Sequence, residues 1–93
     1  MSKRYEWEVK ELLTNDETNE QYEVTHSISL VCSRITGKAV ITIDGDEYDI
    51  SVKPFSLGGT SQVFRLGEEA AVIEFPKKSD PTVKVGGELI PKK

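Results

Sequence analysis

Apolar and polar residues alternate along most of this chain, and the alternation has a period of two. Tyr5, Trp7 and Val9 are interleaved with Glu6, Glu8 and Lys10. An apolar face then lies opposite a charged one, as a half-buried strand requires. The pattern is clearest where Tyr22, Val24, His26, Ile28, Leu30 and Cys32 share one face and Glu23, Thr25, Ser27 and Ser29 the other. A helix would scatter these residues around its surface. Between the two strands, Thr14–Gln21 is a polar run without period and reads as a loop. Ser33–Gly37 turns the chain, with Gly37 free to take positive φ. The β-branched run Val40–Ile43 meets Asp44-Gly45, and Tyr48, Ile50 and Val52 follow at period two. An Asp-Gly pair between two such runs signals a tight hairpin.

Downstream, Phe55 and Leu57 lead into the Gly58-Gly59 turn, Phe64 and Leu66 mark a strand closed by Gly67, and Ala70–Phe75 is stopped by Pro76. Val83 and Val85 form a last short strand, and Leu89-Ile90 pairs back after Gly86-Gly87, before a Pro91–Lys93 tail. This gives about eight short strands with turn signals roughly eight to twelve residues apart, the spacing of an antiparallel sandwich or barrel. The expected fold is an all-β antiparallel β-sandwich, one domain over residues 1–93. Its core is expected from Trp7, Val9, Val24, Ile28, Leu30, Ile41, Ile43, Ile50, Val52, Phe55, Phe64, Leu66, Ile73 and Phe75.

Composition narrows the partners. Sixteen acidic and twelve basic residues leave a net charge of −4, and an acidic chain repels phosphate backbones, so no nucleic acid is expected. Lys77-Lys78 and Lys92-Lys93 read as solubilising charge at a turn and a tail. A single cysteine, Cys32, allows no intrachain disulfide. The charged N-terminus has no apolar signal region, and no apolar run is long enough for a membrane helix. The expectation is a cytoplasmic protein with no membrane partner.

Candidate chemistry is sparse. His26 is the only histidine, and any Ser-His-Asp or Cys-His mechanism would need it. Cys32 lies six residues along the same face, roughly 20 Å away at about 3.3 Å per residue. That distance rules out a dyad within the strand. His26 therefore reads as a structural histidine inside the sandwich. A structural zinc site needs four ligands, usually Cys and His, and the chain has one of each. Asp44, Asp46, Glu47 and Asp49 are oxygen donors near the Asp-Gly turn but lack the EF-hand spacing. They read as solvated charges on a hairpin tip. The paired glycines have no following helix to cradle phosphate. Tyr5 and Trp7 alternate inward with Val9 and read as core. No catalytic residue, cofactor or metal ligand is assigned.

The stretch His26–Glu47, HSISLVCSRITGKAVITIDGDE, resembles the Fas apoptotic inhibitory molecule family. There a strand opening on histidine leads into a Gly-Lys turn, a β-branched strand and an Asp-Gly hairpin. His26, Ile28, Leu30, Gly37, Lys38, Val40, Ile43, Asp44 and Gly45 carry the likeness without gaps. Phe55, Leu57, Gly59, Phe64, Gly67 and the segment Thr82–Lys93 extend it, and Trp7 suits the family's opening strand. Family members pair two such domains, and this chain has room for one. The resemblance implies a compact antiparallel sandwich that binds rather than catalyses. The function expected is a non-enzymatic protein-interaction module, engaging a partner or a second copy through its strand edges. The alternative is a carrier holding a small apolar ligand between the sheets.

Overall fold

The computed structural model describes Ser2–Lys93. It is all-β, with strands β1 (Lys3–Thr14), β2 (Gln21–Cys32), β3 (Ala39–Ile43), β4 (Asp46–Asp49), β5 (Thr60–Leu66), β6 (Glu69–Phe75), β7 (Thr82–Val85) and β8 (Glu88–Ile90). They form two antiparallel four-stranded sheets, β1-β2-β3-β4 and β5-β6-β7-β8. Each strand pairs with the next in sequence except at the step from β4 to β5, where the chain crosses between sheets. One apolar core joins the sheets: Trp7, Ile28, Leu30 and Ile41 from the first meet Leu66, Ile73, Phe75 and Val83 from the second.

Most strands fall where the periodicity placed them, but β4 ends at Asp49, so Ile50 and Val52 lie beyond it, and β5 begins earlier than Phe64. β1 and β2 each run twelve residues, and β3 covers only the Ile28–Cys32 end of β2. The other end of the β1–β2 ribbon extends beyond the sandwich, which leaves Leu12 and Tyr22 exposed and Val24 half-buried. The polar loop at its tip is tied by Asn15, whose side chain accepts from the Glu17 N–H at 2.9 Å and whose carbonyl accepts from the Asn19 N–H at 2.8 Å. The Asp44-Gly45 hairpin forms as expected: Ile43 pairs with Asp46, and both turn residues take positive φ, 50° and 91°. Those angles define a type I′ turn, whose twist suits a two-residue hairpin.

Phe55 departs from expectation. It is 79% exposed and takes φ 61°, and Phe55–Leu57 is not a strand. Pro54 fixes the first corner of a Lys53–Ser56 turn, closed by the Ser56 N–H on the Lys53 carbonyl at 3.0 Å. Phe55 occupies the second corner, which requires positive φ, and its ring swings outward. Leu57 is buried in its place, together with Ala39, Ala71, Val83 and Cys32, which were not expected in the core. The C-terminal residues are not a free tail either. Lys92 bridges Trp7, and the Lys93 N–H donates to the Glu6 carbonyl at 2.9 Å, so these two residues cover the β1 edge at Glu6 and Trp7.

Gly37 shows how tightly one turn is built. At φ 75°, a Cβ there would collide with the main-chain carbonyls of Val52 and Lys53. Gly87 has a similar φ, +87°, with nothing within 4 Å of its added Cβ. Gly37→Ala is expected to lose about 2 kcal/mol or more, and Gly87→Ala about 1 kcal/mol, the conformational cost alone. Urea unfolding followed by Trp7 fluorescence measures both, and equal losses would refute the collision.

Candidate functional site

Two places gather the chain's chemistry: a histidine clasp at one end of the sandwich, and the open side between β4 and β5. The clasp begins with the pairing of β1 and β2. Their register sets Val9 opposite His26 and Glu11 opposite Val24, so Glu11 lies diagonal to His26 on the inward face. The type I′ turn brings Asp44 to the other side of the ring. His26 Nδ1 is 2.7 Å from Asp44 Oδ2, and Nε2 is 3.2 Å from Glu11 Oε1. Ionised carboxylates only accept, so the two bonds form together when both ring nitrogens carry protons and the imidazole is positively charged.

Both carboxylates are committed elsewhere as well. Asp44 Oδ1 accepts from the Ser27 N–H at 2.9 Å, and Glu11 Oε2 accepts from the Glu68 N–H at 3.1 Å. Glu68 lies in the β5–β6 turn of the second sheet, beside Gly67, where an added Cβ would run into the Glu11 carboxylate. The clasp thus ties β1, β2 and the β3–β4 hairpin to the opposite sheet.

The charges reinforce one another. The bond to Asp44 raises the His26 pKa above its ordinary value, burial opposes this, and Glu11 adds to the rise. The bond from His26 and the Glu68 N–H hold Glu11 below the usual carboxylate range. Burial works against ionised Asp44, but His26 and the Ser27 N–H outweigh it and lower its pKa. Among the described residues, the hydrogen-bond partners of the imidazole are the two carboxylates. Cys32 sits at the far end of β2, paired with Lys3 and Ala39, and burial pushes its thiol pKa up. Among the described residues, no group of three or more His, Cys, Asp or Glu is arranged to hold a metal ion.

His26 is buried as the periodicity implied. Glu11 was missed as its partner, although an acidic residue continuing the inward row of Trp7 and Val9 was a usable signal. Asp44 was read as a turn residue and a solvated charge on the hairpin tip, whereas its carboxylate is bonded to His26 and the Ser27 N–H. Asp46, Glu47 and Asp49 lie on exposed β4, and Tyr5 stacks on Trp7 with ring centroids 6.2 Å apart. Lys92 and Lys93 reach Asp80 and Glu8 at 2.8 and 3.2 Å, so they are ion-paired rather than solubilising alone.

The open side follows from the topology. β4 and β5 are the outer strands of separate sheets and share no ladder. Ile43, Ile50 and Phe64 are half-buried there, and with Ile41, Tyr48, Val63 and Ile73 they line a recess of about 280 Å³ between the sheets. Ile43, Ile50 and Phe64 were expected in the core and are only partly enclosed by it. No protein-family model, curated protein or solved structure matches the chain.

The clasp makes stability depend on pH in two directions. His26, with its raised folded pKa, contributes fully below its ordinary 6.5 and loses that contribution as pH rises through the folded value. Glu11 and Asp44, with lowered folded pKa values, contribute above their ordinary 4.5 and 3.8 and lose it as pH falls through theirs. The clasp's contribution is therefore greatest between pH 4.5 and 6.5. His26→Gln should cost about 2 kcal/mol at pH 6 and flatten the decline of Tm above pH 6.5. A wild-type decline that survives in the variant would assign it to other groups.

Proposed function

We propose that this chain is a non-enzymatic protein-interaction module that takes an extended segment of a partner into the open β4–β5 side. What supports the reading is the break in an otherwise continuous meander: two unpaired strand edges flank an apolar recess. An extended segment added to a sheet edge gains main-chain hydrogen bonds, and alternate side chains fill the groove. β5 is the receiving edge, seven residues long with Arg65 its only charge. It lacks the lysines and prolines that blunt exposed edges. Facing it, β4 carries Asp46, Glu47 and Asp49. The segment that fits has apolar residues at alternate positions and basic residues between them. A second copy offering its own β4 would set like charges opposite one another, which disfavours pairing.

A second reading is favoured by the same recess: a small neutral apolar ligand between the sheets. At about 280 Å³ the recess sits just under the usual range for such pockets, about 300–1,000 Å³.

Selection from a phage-displayed library of random peptides tests the first reading. Enriched peptides should alternate apolar and basic residues, shift the amide signals of Thr60–Leu66, and bind Phe64→Glu at least about tenfold more weakly, or about 1.4 kcal/mol. Absence of enrichment, or shifts confined to other strands, would sink it. Saturable uptake of the neutral dye Nile red at the recess, with no peptide selected, would favour the carrier.

A further inference from the structure

A cavity of about 420 Å³ lies at the opposite end of the sandwich from the clasp, between the start of β1, the end of β2 and the loop joining β6 to β7. Tyr5, Cys32 and Ile35 give it an apolar lining, and Lys3, Arg34, Lys77 and Lys78 surround it. The chain as a whole carries −4, yet these four cations face a single carboxylate, Asp80. Asp80 is already engaged: it accepts from Lys92 at 2.8 Å and from the Tyr5 hydroxyl at 3.2 Å.

Two of the cations are held in place by the fold. The Arg34 guanidinium donates to the main-chain carbonyls of Pro76 and Lys77 at 2.8 and 3.2 Å, and to that of Ser79. Those bonds fix its direction and leave its charge uncancelled, because a carbonyl is neutral. The Lys77 stem lies across the Gly58-Gly59 turn, so closely that an added Cβ at Gly59 would come within 3.2 Å of the Lys77 Cε. Among the described residues, Arg4, Lys10, Lys84, Lys92 and Lys93 form ion pairs; of the seven cations that form none, Lys3, Arg34, Lys77 and Lys78 gather around this one cavity, and Lys38, Lys53 and Arg65 lie outside it. Four uncompensated cations around one concavity repel one another, and a bound anion would relieve that repulsion. The apolar lining asks for more than an inorganic ion.

We propose that this cavity binds a small organic anion: an acidic head group held by Arg34, Lys77, Lys78 and Lys3, and an apolar body against Tyr5 and Ile35. The site is independent of the β4–β5 reading, which can fail without it. Naphthoate, its neutral isostere naphthamide and inorganic phosphate are the probes, titrated against the full chain and read by amide NMR shifts. Naphthoate should saturably shift Lys3–Tyr5, Cys32–Ile35 and Lys77–Asp80, and bind at least about tenfold more tightly than either other probe, with affinity falling as salt rises. The double variant Lys77→Met, Lys78→Met should lose about tenfold in affinity with Tm unchanged. Equal binding of naphthamide, equal binding of phosphate, shifts centred on Ile43 and Phe64, or no saturation would each overturn the proposal.

Discussion

Each of the two sheets has one apolar face, and only the other sheet can cover it. That mutual burial is the constraint on which the rest of the molecule depends, because a four-stranded meander exposing such a face to water would not persist. Trp7, Leu30, Ile73 and Val83 are almost completely buried because they come from opposite sheets and meet in the middle. The sheets share no ladder, so their alignment falls to contacts around the perimeter. The clasp of Glu11, His26 and Asp44 ties one end to the β5–β6 turn. Arg34 ties the other end by gripping three carbonyls of the β6–β7 loop. Lys92 and Lys93 close the β1 side at Trp7 and Glu6. The fourth side, between β4 and β5, has no such seal.

The perimeter also sorts charge. Where cations and carboxylates bridge the sheets they are paired, and the clasp is the most enclosed case, with its histidine only 8% exposed. A charge taken that far from water persists only with partners that stabilise it, and the two carboxylates do so. At the opposite end the cations outnumber their partners, and on β4 the carboxylates do. A net charge of −4 conceals this segregation. The binding surfaces proposed here differ in kind for that reason: one offers strand edges beside acidic side chains, the other fixed positive charge above an apolar lining.

Much of the fold was readable in one dimension. Side chains alternate across a strand with period two, so the inward row of β2 from His26 to Cys32 and the outward row of serines and threonines could be assigned from order alone. The Asp44-Gly45 hairpin was equally local, because its backbone angles suit those two residues. Phe55 was misplaced where two local signals competed. Its apolar side chain argued for a strand, and Pro54 beside it argued for a turn that rotates the ring outward. Pro54 prevailed because its ring fixes the backbone, whereas a single apolar side chain can be left exposed at modest cost.

Most strands, the Asp44-Gly45 turn, the all-β class and the burial of His26 were legible in the order of residues, since each depends on neighbours in the chain. Which charges meet was settled by the packing of distant segments. Glu11 and His26 are fifteen positions apart, His26 and Asp44 eighteen, and Arg34 and the Ser79 carbonyl forty-five. That packing also decided that Lys3 and Arg34 join Lys77 and Lys78 around one cavity, which turns a two-lysine turn into a concentration of positive charge. The open β4–β5 side arose in the same way, from how two twisted sheets close on one side and not on the other. Such contacts depend on register and sheet packing, which no local pattern of apolar and polar residues encodes.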